Sequence, residues 1–220
     1  GSKDRRRVSD AVYDMIRYES FFKYAGFMSP EAQLEAWFLW HNGERFDALK
    51  SQDPCTDLSI SLGLPYWMVE EWITQIGLSE TAQLAQIINQ RADLNIRCYP
   101  HRISREALQH KLNKEEICSE PAPKTAHGLR LTQRCNLQGS KAFRDGFLDI
   151  QDTASQRFCE SLDIKPQQTV IDYCAGAGGK ALFLASLGAK VFINDPRSNA
   201  IKAAKGRAKR ARITFLNNPP

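Results

Sequence analysis

Residues 1–90 carry apolar side chains at the spacing of amphipathic helices. Ser29-Pro30-Glu31 is a typical helix start, and Asn42-Gly43 is a typical helix end. Two more helices are predicted, one opened by Pro65 and one capped by Ser79. We therefore expect an all-α N-terminal domain over residues 1–90. Four aromatic side chains are expected to fill its core rather than to form a stacking platform: Trp37, Phe38, Trp67 and Trp72.

Residues 91–140 change to a mixed pattern. Asp93–Tyr99 alternates like a strand, a helix capped by Ser104 follows, and Gly128–Leu131 is again strand-like. A further strand-like piece occurs at Gly146–Ile150. Strand, helix and strands in this order predict a small α+β module of ferredoxin or RRM type. We assign residues 91–140 to an RRM-like RNA-binding module, although the aromatic RNP signature of a sequence-reading RRM is absent.

Residues 141–220 show the alternation of helices and strands that is typical of an α/β sheet. A helix capped by Asp152 precedes a strand over residues 169–173, and a glycine turn leads into the next helix. A second strand over residues 190–194 and a helix over residues 197–211 follow, and residues 212–216 are predicted to begin a third strand. We expect this segment to be the N-terminal part of a Rossmann-like domain, with only part of the sheet represented.

Composition and charge narrow the function classes. The 220 residues are 42% hydrophobic and contain no apolar stretch long enough to span a bilayer, which predicts a globular protein outside the membrane. The N-terminus is polar and basic, unlike a signal peptide. Six cysteines without a C-x-x-C pair and four scattered histidines argue against a zinc site and favour a reducing, cytoplasmic location. The net charge of +5 permits a polyanionic partner without requiring one.

Two groups of basic residues are candidates for phosphate contacts, and an ordinary solvated surface is the alternative for both. One group lies in the predicted RRM-like module: Arg91, Arg97, Arg102, Arg105, Arg130 and Arg134. The other lies in and just after the helix of residues 197–211: Lys202, Lys205, Arg207, Lys209, Arg210 and Arg212.

The turn from Asp172 to Lys180 carries the chemistry that the sequence indicates most clearly. A P-loop is rejected, because Cys174 stands where its first glycine is required and Ala181 replaces its Ser or Thr. The spacing Gly176, Gly178, Ala181 fits a dinucleotide fingerprint, but the turn after the strand is longer than such sites use. An acid at the end of the first strand, a glycine loop and Asp195 at the end of the second strand favour S-adenosylmethionine. Loop N–H groups would line its methionyl part, and Asp195 would accept from its ribose hydroxyls.

Four stretches of the chain resemble the RsmB/NSUN-type (NOL/NOP/Sun) RNA cytosine-5 methyltransferases. Residues 172–180 resemble the family motif D-x-C-A-x-P-G-G-K, with Ala177 in place of proline. Residues 143–156 are similar to F-x-x-G-x-x-x-x-Q-D-x-A-S-Q. Residues 89–97 are similar to N-x-x-A-P-L-x-x-R, and residues 64–72 to P-x-W-L-x-x-x-W. Arg210 matches an arginine late in the helix after the second acid, whereas the arginine expected just after that acid is missing.

The resemblance implies methyl transfer from S-adenosylmethionine to C5 of a cytosine in RNA, with ribosomal RNA expected. It implies no metal and these cofactor-binding residues: Cys174, Ala175, Gly176, Ala177, Gly178, Gly179, Lys180 and Asp195. The family places its two catalytic cysteines in P-C and T-C motifs on later strands, which we expect beyond Pro220. The resemblance places Cys174 in the cofactor cradle, so no catalytic residue is assigned and the chain alone is expected to be inactive.

Two other functions stay open from the sequence. One is a catalytically inactive, RNA-binding member of the same family. The other is a dinucleotide-binding oxidoreductase, which the glycine spacing permits.

Overall fold

The computed structural model describes residues 2–44, 46, 51, 53–90, 92–133 and 135–217. The chain divides into two compact units, Gly1–Arg91 and Ala92–Pro220. No helix in the described part of the chain is long and apolar enough to cross a bilayer.

The first unit is helical in its described residues. Ser29 begins α3 as predicted, because its hydroxyl accepts a hydrogen bond from the Ala32 N–H at 3.2 Å. Phe22, Ala36 and Trp37 are buried and form the centre of its core. The helices are α1 (Ser2–Arg17), α2 (Glu19–Tyr24), α3 (Pro30–His41), α4 (Pro54–Leu62), α5 (Tyr66–Ile76) and α6 (Leu78–Asn89).

Three details of this unit differ from the sequence prediction. The prediction missed α4, whose first turn is capped by the Asp53 carboxylate. Ser79 does not cap α6, which already begins at Leu78. Trp67 and Phe38 are 66% and 40% exposed, so neither is buried in the core as predicted. Trp67 lies two residues from the buried Val69 and therefore on the opposite side of α5.

The second unit begins with a four-stranded antiparallel sheet in the order β2-β3-β1-β4. This order, with helices after β1 and β3, is the ferredoxin-like arrangement. Strand β4 follows the predicted domain boundary at residues 140/141, so that boundary falls inside the sheet. The elements are β1 (Asn95–Cys98), α7 (Arg105–Asn113), β2 (Ser119–Pro121), β3 (Gly128–Leu131), a 3-10 turn (Leu137–Gly139), α8 (Lys141–Arg144) and β4 (Leu148–Ile150).

The two faces of this sheet have different neighbours. Ile96, Cys98 and Leu148 belong to a core that also contains Leu108 and Leu112 of α7. Successive side chains of a strand point to opposite faces, so the intervening residues belong to the other face. On that face Arg97 of β1 is paired directly opposite Asp149 of β4.

The rest of the second unit is a strand-helix-strand arrangement. Leu182 and Phe183 of its central helix are fully buried and share a core with Val191 and Ala204. The elements are α9 (Thr153–Ser161), β5 (Thr169–Asp172), α10 (Gly179–Ser186), β6 (Lys190–Ile193) and α11 (Ser198–Ala211), with β5 and β6 parallel.

The third strand predicted over residues 212–216 does not form. Arg212 adopts a left-handed conformation with φ 56°, which ends α11. Residues 213–216 then run beside β6, where the Leu216 N–H donates to the Val191 carbonyl at 2.7 Å. Within the described residues this contact is not extended into a strand ladder.

Gly146 is expected to tolerate no side chain. Its φ is +72°, and a Cβ atom there would lie 1.9 Å from the Arg210 carbonyl oxygen, so Gly146→Ala should cost about 1–3 kcal/mol of unfolding free energy. Gly206 is the matched control, because nothing lies within 4 Å of its Cβ position in α11, and Gly206→Ala should stabilise by up to about 1 kcal/mol. Urea denaturation of both variants measures the contrast, and equal effects would contradict this packing.

Candidate functional site

The glycine turn is held where the two parallel strands end. The Asn194 N–H donates to the Asp172 carbonyl at 2.9 Å, and the Ala175 N–H donates to the Asn194 carbonyl at 2.9 Å. The Asn194 side chain also donates to the Tyr173 carbonyl at 3.2 Å. These contacts continue the strand pairing past both strand ends, and they bring the segments that carry Asp172 and Asp195 to one edge of the sheet.

Two glycines give the turn its shape. Gly176 has φ +53° and Gly178 has φ +78°, and the Gly178 N–H donates to the Ala175 carbonyl at 2.8 Å. A Cβ atom at Gly178 would lie 2.9 Å from the Ala204 Cβ, so this glycine is needed for close packing. At Gly176 the nearest atom to such a Cβ is the Arg197 guanidinium at 3.8 Å, so this side of the turn is open.

Several N–H groups of the turn are free. Among the described residues, no acceptor contacts the backbone N–H of Ala177, Gly179 or Lys180. Gly179 and Lys180 are the first two residues of α10, where unpaired N–H groups and the helix dipole favour an electronegative ligand. The turn therefore offers hydrogen-bond donors to a bound molecule.

Asp195 is tied directly to the turn. Its side chain is 2% exposed, and its carboxylate accepts from the Gly176 N–H at 2.8 Å and from the Arg197 N–H at 3.0 Å. The Arg197 guanidinium donates two more hydrogen bonds, at 2.9 and 3.1 Å. Hydrogen bonds from the Arg197 side chain and backbone, joined by that from Gly176, hold the pKa of Asp195 well below its usual range. The carboxylate is therefore ionised, and one side of it is covered by an arginine side chain that is itself 73% exposed.

Asp172 lines a cavity of about 320 Å³ beside the turn. Burial raises the pKa of its carboxyl, while the Lys180 charge and a hydrogen bond from the Ala181 backbone offset part of that rise. The cavity is also lined by Gln151, Asp152, Cys174, Ala175, Gly179 and Lys180, among others. The cavity is therefore lined by a carboxyl that has lost part of its hydration and by two residues, Gly179 and Lys180, whose backbone N–H groups are free.

The sequence prediction missed a hydrogen-bond network that is centred on the buried Asp149 carboxylate and reaches the glycine turn. Asp149 accepts from the Tyr99 hydroxyl at 2.6 Å, from Arg207 at 2.8 and 3.1 Å, and from Arg210 at 3.3 Å. The remaining Arg207 nitrogen, Nη1, donates to the Ala177 carbonyl at 2.7 Å. The network therefore connects strand β4 to the turn through one arginine of α11.

Arg97 reaches the turn from the ferredoxin-like sheet. Its side chain is fully buried and lies over the rings of Tyr99 and Phe183, at 4.5 and 4.7 Å from their centres. It donates to the Gln151 side chain at 2.5 Å and to the Gly179 carbonyl at 3.2 Å. Burial lowers the pKa of Arg97, although the guanidinium keeps its proton because its ordinary pKa is so high.

These contacts correct part of the predicted phosphate-binding surface. Arg97 is buried, and Arg207 and Arg210 turn to Asp149, so none of these three faces solvent as a phosphate ligand would. Arg102, Arg105 and Arg130 each contact carbonyl or carboxylate groups of the protein. Four of the predicted basic residues are exposed, namely Lys202, Lys205, Lys209 and Arg212. Arg91 and Arg134 lie outside the described residues.

Comparison with known proteins finds similar methyltransferases. Residues 64–138 match the family described as Methyltr_RsmF/B-like, ferredoxin-like domain. A protein of Bacillus subtilis (strain 168), named probable ribosomal RNA small subunit methyltransferase B, is 27% identical over 175 residues. These matches support the RsmF/B-like methyltransferase family that the sequence motifs resemble. That alignment covers 78% of this chain and 38% of the relative, and the chain spans less than half the length of the curated relatives it matches.

Solved structures show the same fold at low sequence identity. A methyltransferase homolog protein from Pyrococcus horikoshii superposes with a TM-score of 0.68 and 22% identity, covering 75% of this chain and 55% of that one. NSun6 from Pyrococcus horikoshii, crystallised with SFG, superposes with a TM-score of 0.64 and 16% identity. This second likeness covers 70% of this chain and 64% of that one.

The block of residues 143–156 that resembles the RsmF/B-like family has a structural role here. Phe143 packs under the Arg210 guanidinium at 4.1 Å, and Gln151 accepts from Arg97. Asp152 caps α9 by accepting from the Ser155 N–H at 2.8 Å. Gln156 is fully buried and donates to the Ile96 and Gln151 carbonyls at 3.3 and 2.9 Å. The block therefore joins the ferredoxin-like sheet to the glycine turn.

Replacing Asp172 should stabilise the protein at neutral pH. Because its pKa is raised in the folded state, Asp172 favours folding when protonated, and that contribution is lost as pH rises through the folded pKa. Asp172→Asn removes the ionised form, so its melting temperature at pH 7 should exceed that of the unmodified protein, and the difference should shrink as pH falls towards about 4.

Thermal melts between pH 7 and the lowest pH at which the fold persists test this expectation. Asp163→Asn is the control for the substitution itself, because the Asp163 side chain is 81% exposed and lies outside the cavity beside the turn. A lower melting temperature for Asp172→Asn at pH 7 would contradict the environment described for this carboxyl.

Proposed function

We propose that this chain carries the S-adenosylmethionine site of an RNA cytosine-C5 methyltransferase, with ribosomal RNA as its substrate class. The observation that carries the proposal is the glycine turn: the residues Gly179 and Lys180, whose N–H groups are free, line one cavity with Asp172, and Asp195 accepts from the Gly176 N–H of the same turn. The names of the curated relatives support ribosomal RNA. The NSun6 structure with SFG, an analogue of S-adenosylmethionine, supports the cofactor.

Each group of the site has a matching part on the cofactor. S-adenosylmethionine, when bound, supplies an electrophilic methyl group. The N–H groups of Gly179 and Lys180 suit its methionyl carboxylate, and Asp172 suits its methionyl ammonium group. Asp195 suits the two ribose hydroxyls, since a carboxylate accepts two hydrogen bonds from a cis-diol. The remaining predicted residues, Cys174, Ala175, Gly176, Ala177 and Gly178, form the turn that supports these contacts.

The Asp195 carboxylate is already bound by the Arg197 guanidinium, which a ribose would have to displace. Arg197 covers part of its carboxylate, so ribose hydroxyls would displace the Arg197 side chain while the Gly176 and Arg197 N–H groups stay in place. Because the Arg197 side chain is 73% exposed, water can solvate its guanidinium once ribose hydroxyls displace it.

The proposed chemistry needs a cysteine nucleophile, and none of the cysteines in residues 1–220 is assigned that role. In the reaction implied by the resemblance, a thiolate adds to C6 of cytosine and makes C5 nucleophilic. Pro54-Cys55 is the one P-C pair in the sequence, but Cys55 is buried in the first turn of α4, where burial raises the pKa of its thiol. We therefore propose that these residues bind the cofactor, without catalysing methyl transfer on their own.

The surrounding parts fit the same proposal. The arrangement of β5, α10, β6 and α11 is proposed to be the N-terminal part of a Rossmann-like methyltransferase domain. The ferredoxin-like sheet is proposed to contact RNA, helped by the exposed Lys202, Lys205, Lys209 and Arg212. An RNA substrate and cysteines without disulfide bonds in the structure suit the cytoplasm.

An inactive, RNA-binding family member is the second candidate. The intact turn favours the enzyme over this candidate. Methylation of a ribosomal RNA fragment by the full-length gene product separates the two, because a fold-competent protein that binds RNA and transfers no methyl group would support the inactive member.

Calorimetry with S-adenosylhomocysteine and with NAD tests the cofactor. We expect S-adenosylhomocysteine to bind and NAD not to bind. Binding of NAD without S-adenosylhomocysteine would favour the dinucleotide-binding oxidoreductase and overturn the proposal.

Asp195→Ala should reduce the affinity for S-adenosylhomocysteine by about 100-fold or more, because two hydrogen bonds to an ionised acceptor are lost. Arg197→Ala is the matched control and should change the affinity by less than about fivefold. Unchanged binding by Asp195→Ala would mean that the ribose site is misassigned.

A further inference from the structure

We propose that Arg207 is a positioning residue for the cofactor turn: it fixes the Ala177–Gly178 peptide plane so that the turn is shaped for its ligand before the ligand arrives. This inference rests on the proposed function for the identity of that ligand. Its structural part, the fixed peptide plane, is testable without any ligand.

The guanidinium of Arg207 bridges two partners with a rigid fork. Its Nε and Nη2 atoms lie 3.1 and 2.8 Å from Asp149 Oδ2, and its Nη1 atom lies 2.7 Å from the Ala177 carbonyl oxygen. Because the group is planar, fixing one edge on Asp149 also fixes the direction of the third nitrogen. Asp149 is a firm anchor, since its side chain is only 4% exposed and also accepts from Tyr99.

The peptide that Arg207 contacts needs such support. Ala177 lies between Gly176 and Gly178, both at positive φ, and glycine adopts positive and negative φ about equally readily. The Ala177–Gly178 peptide could therefore rotate at low cost if it were not held. In the structure both of its polar groups are bound: Arg207 binds the carbonyl, and the Ala175 carbonyl binds the Gly178 N–H at 2.8 Å.

The alanine at position 177 makes an external restraint on the Ala177–Gly178 peptide more important. The motif that the turn resembles has proline there, whose ring fixes φ, whereas this chain has alanine. The hydrogen bond from Arg207 supplies, from outside the turn, a restraint that a proline ring would supply within it. Arg97 likewise restrains the turn by donating to the Gly179 carbonyl at 3.2 Å. The Ala177 and Gly179 carbonyls are thus each bound by an arginine.

Arg210 provides a matched control for Arg207. It lies on the same helix, contacts the same carboxylate at 3.3 Å, and has a side chain that is 23% exposed, as Arg207 has. Among the described residues, Arg210 makes no hydrogen bond to residues 172–180 and instead packs on Phe143. A variant of Arg210 therefore weakens the Asp149 network without removing a contact to the turn.

The experiment compares Arg207→Gln with Arg210→Gln in the whole chain by two readouts. The first is the exchange rate of the Gly178 amide proton measured by NMR without ligand, together with the melting temperature. The second is the affinity for S-adenosylhomocysteine. We expect Arg207→Gln to speed Gly178 exchange and to weaken binding about tenfold, the size expected for one charged hydrogen bond, while Arg210→Gln changes neither.

Arg207→Lys keeps a positive charge beside Asp149 and serves if Arg207→Gln does not fold. A lysine ammonium group lacks the fork that joins Asp149 to the Ala177 carbonyl, so the same change in Gly178 exchange is expected. Equal Gly178 exchange in the Arg207 and Arg210 variants would overturn the positioning role. Absence of S-adenosylhomocysteine binding in the unmodified protein would instead overturn the proposed function, since the exchange measurement does not depend on it.

Discussion

The second unit depends on a positive charge that has no access to solvent. Arg97 projects from the ferredoxin-like sheet on the face opposite its hydrophobic core, and a buried guanidinium is costly unless its donors are satisfied. Its Nε and Nη2 atoms donate to Gln151 and to the Gly179 carbonyl. The guanidinium lies over the faces of Tyr99 and Phe183, while Nη1 has no hydrogen-bond partner among the described residues. Asp149 lies directly opposite Arg97 in the sheet and accepts hydrogen bonds from Tyr99, Arg207 and Arg210. The sheet and the glycine turn are therefore joined by polar groups whose separation would leave buried charge unpaired.

This arrangement determines what the glycine turn can bind. Arginines hold the Ala177 and Gly179 carbonyls on the side of the protein, while the N–H groups of Gly179 and Lys180 have no acceptor among the described residues. Asp172 at the end of β5 lines a cavity with Gly179 and Lys180, and Asp195 after β6 accepts from the Gly176 N–H of the same turn. The two carboxyls have opposite environments, since burial raises the pKa of Asp172 and hydrogen bonds lower that of Asp195. A ligand with a carboxylate, an ammonium group and a cis-diol complements all of these features.

The local parts of this site could be predicted from the sequence, and the network behind it could not. Strand, glycines and helix are adjacent in the chain, so residues 169–187 predict the turn, and the next strand end predicts Asp195. Arg97 meets Gln151 and Gly179 across 54 and 82 residues, and Asp149 meets Arg207 across 58 residues. Nothing in the periodicity distinguishes these arginines from surface cations, which is why they were candidates for phosphate contacts with a solvated surface as the alternative. The strand-like piece at Gly146–Ile150 is counted with the RRM-like module in the sequence, and its pairing with β1 shows that the boundary assigned at residue 140 cuts through the sheet.

The central claim is that the free N–H groups at the start of α10 contact the cofactor. Amide-resolved NMR of the whole chain, with and without S-adenosylhomocysteine, tests it most directly. The account predicts that the Gly179 and Lys180 amides shift strongly and gain protection from exchange, whereas the Gly176 amide, already bound to Asp195, gains little protection. Binding that leaves the Gly179 and Lys180 amides unchanged would contradict it.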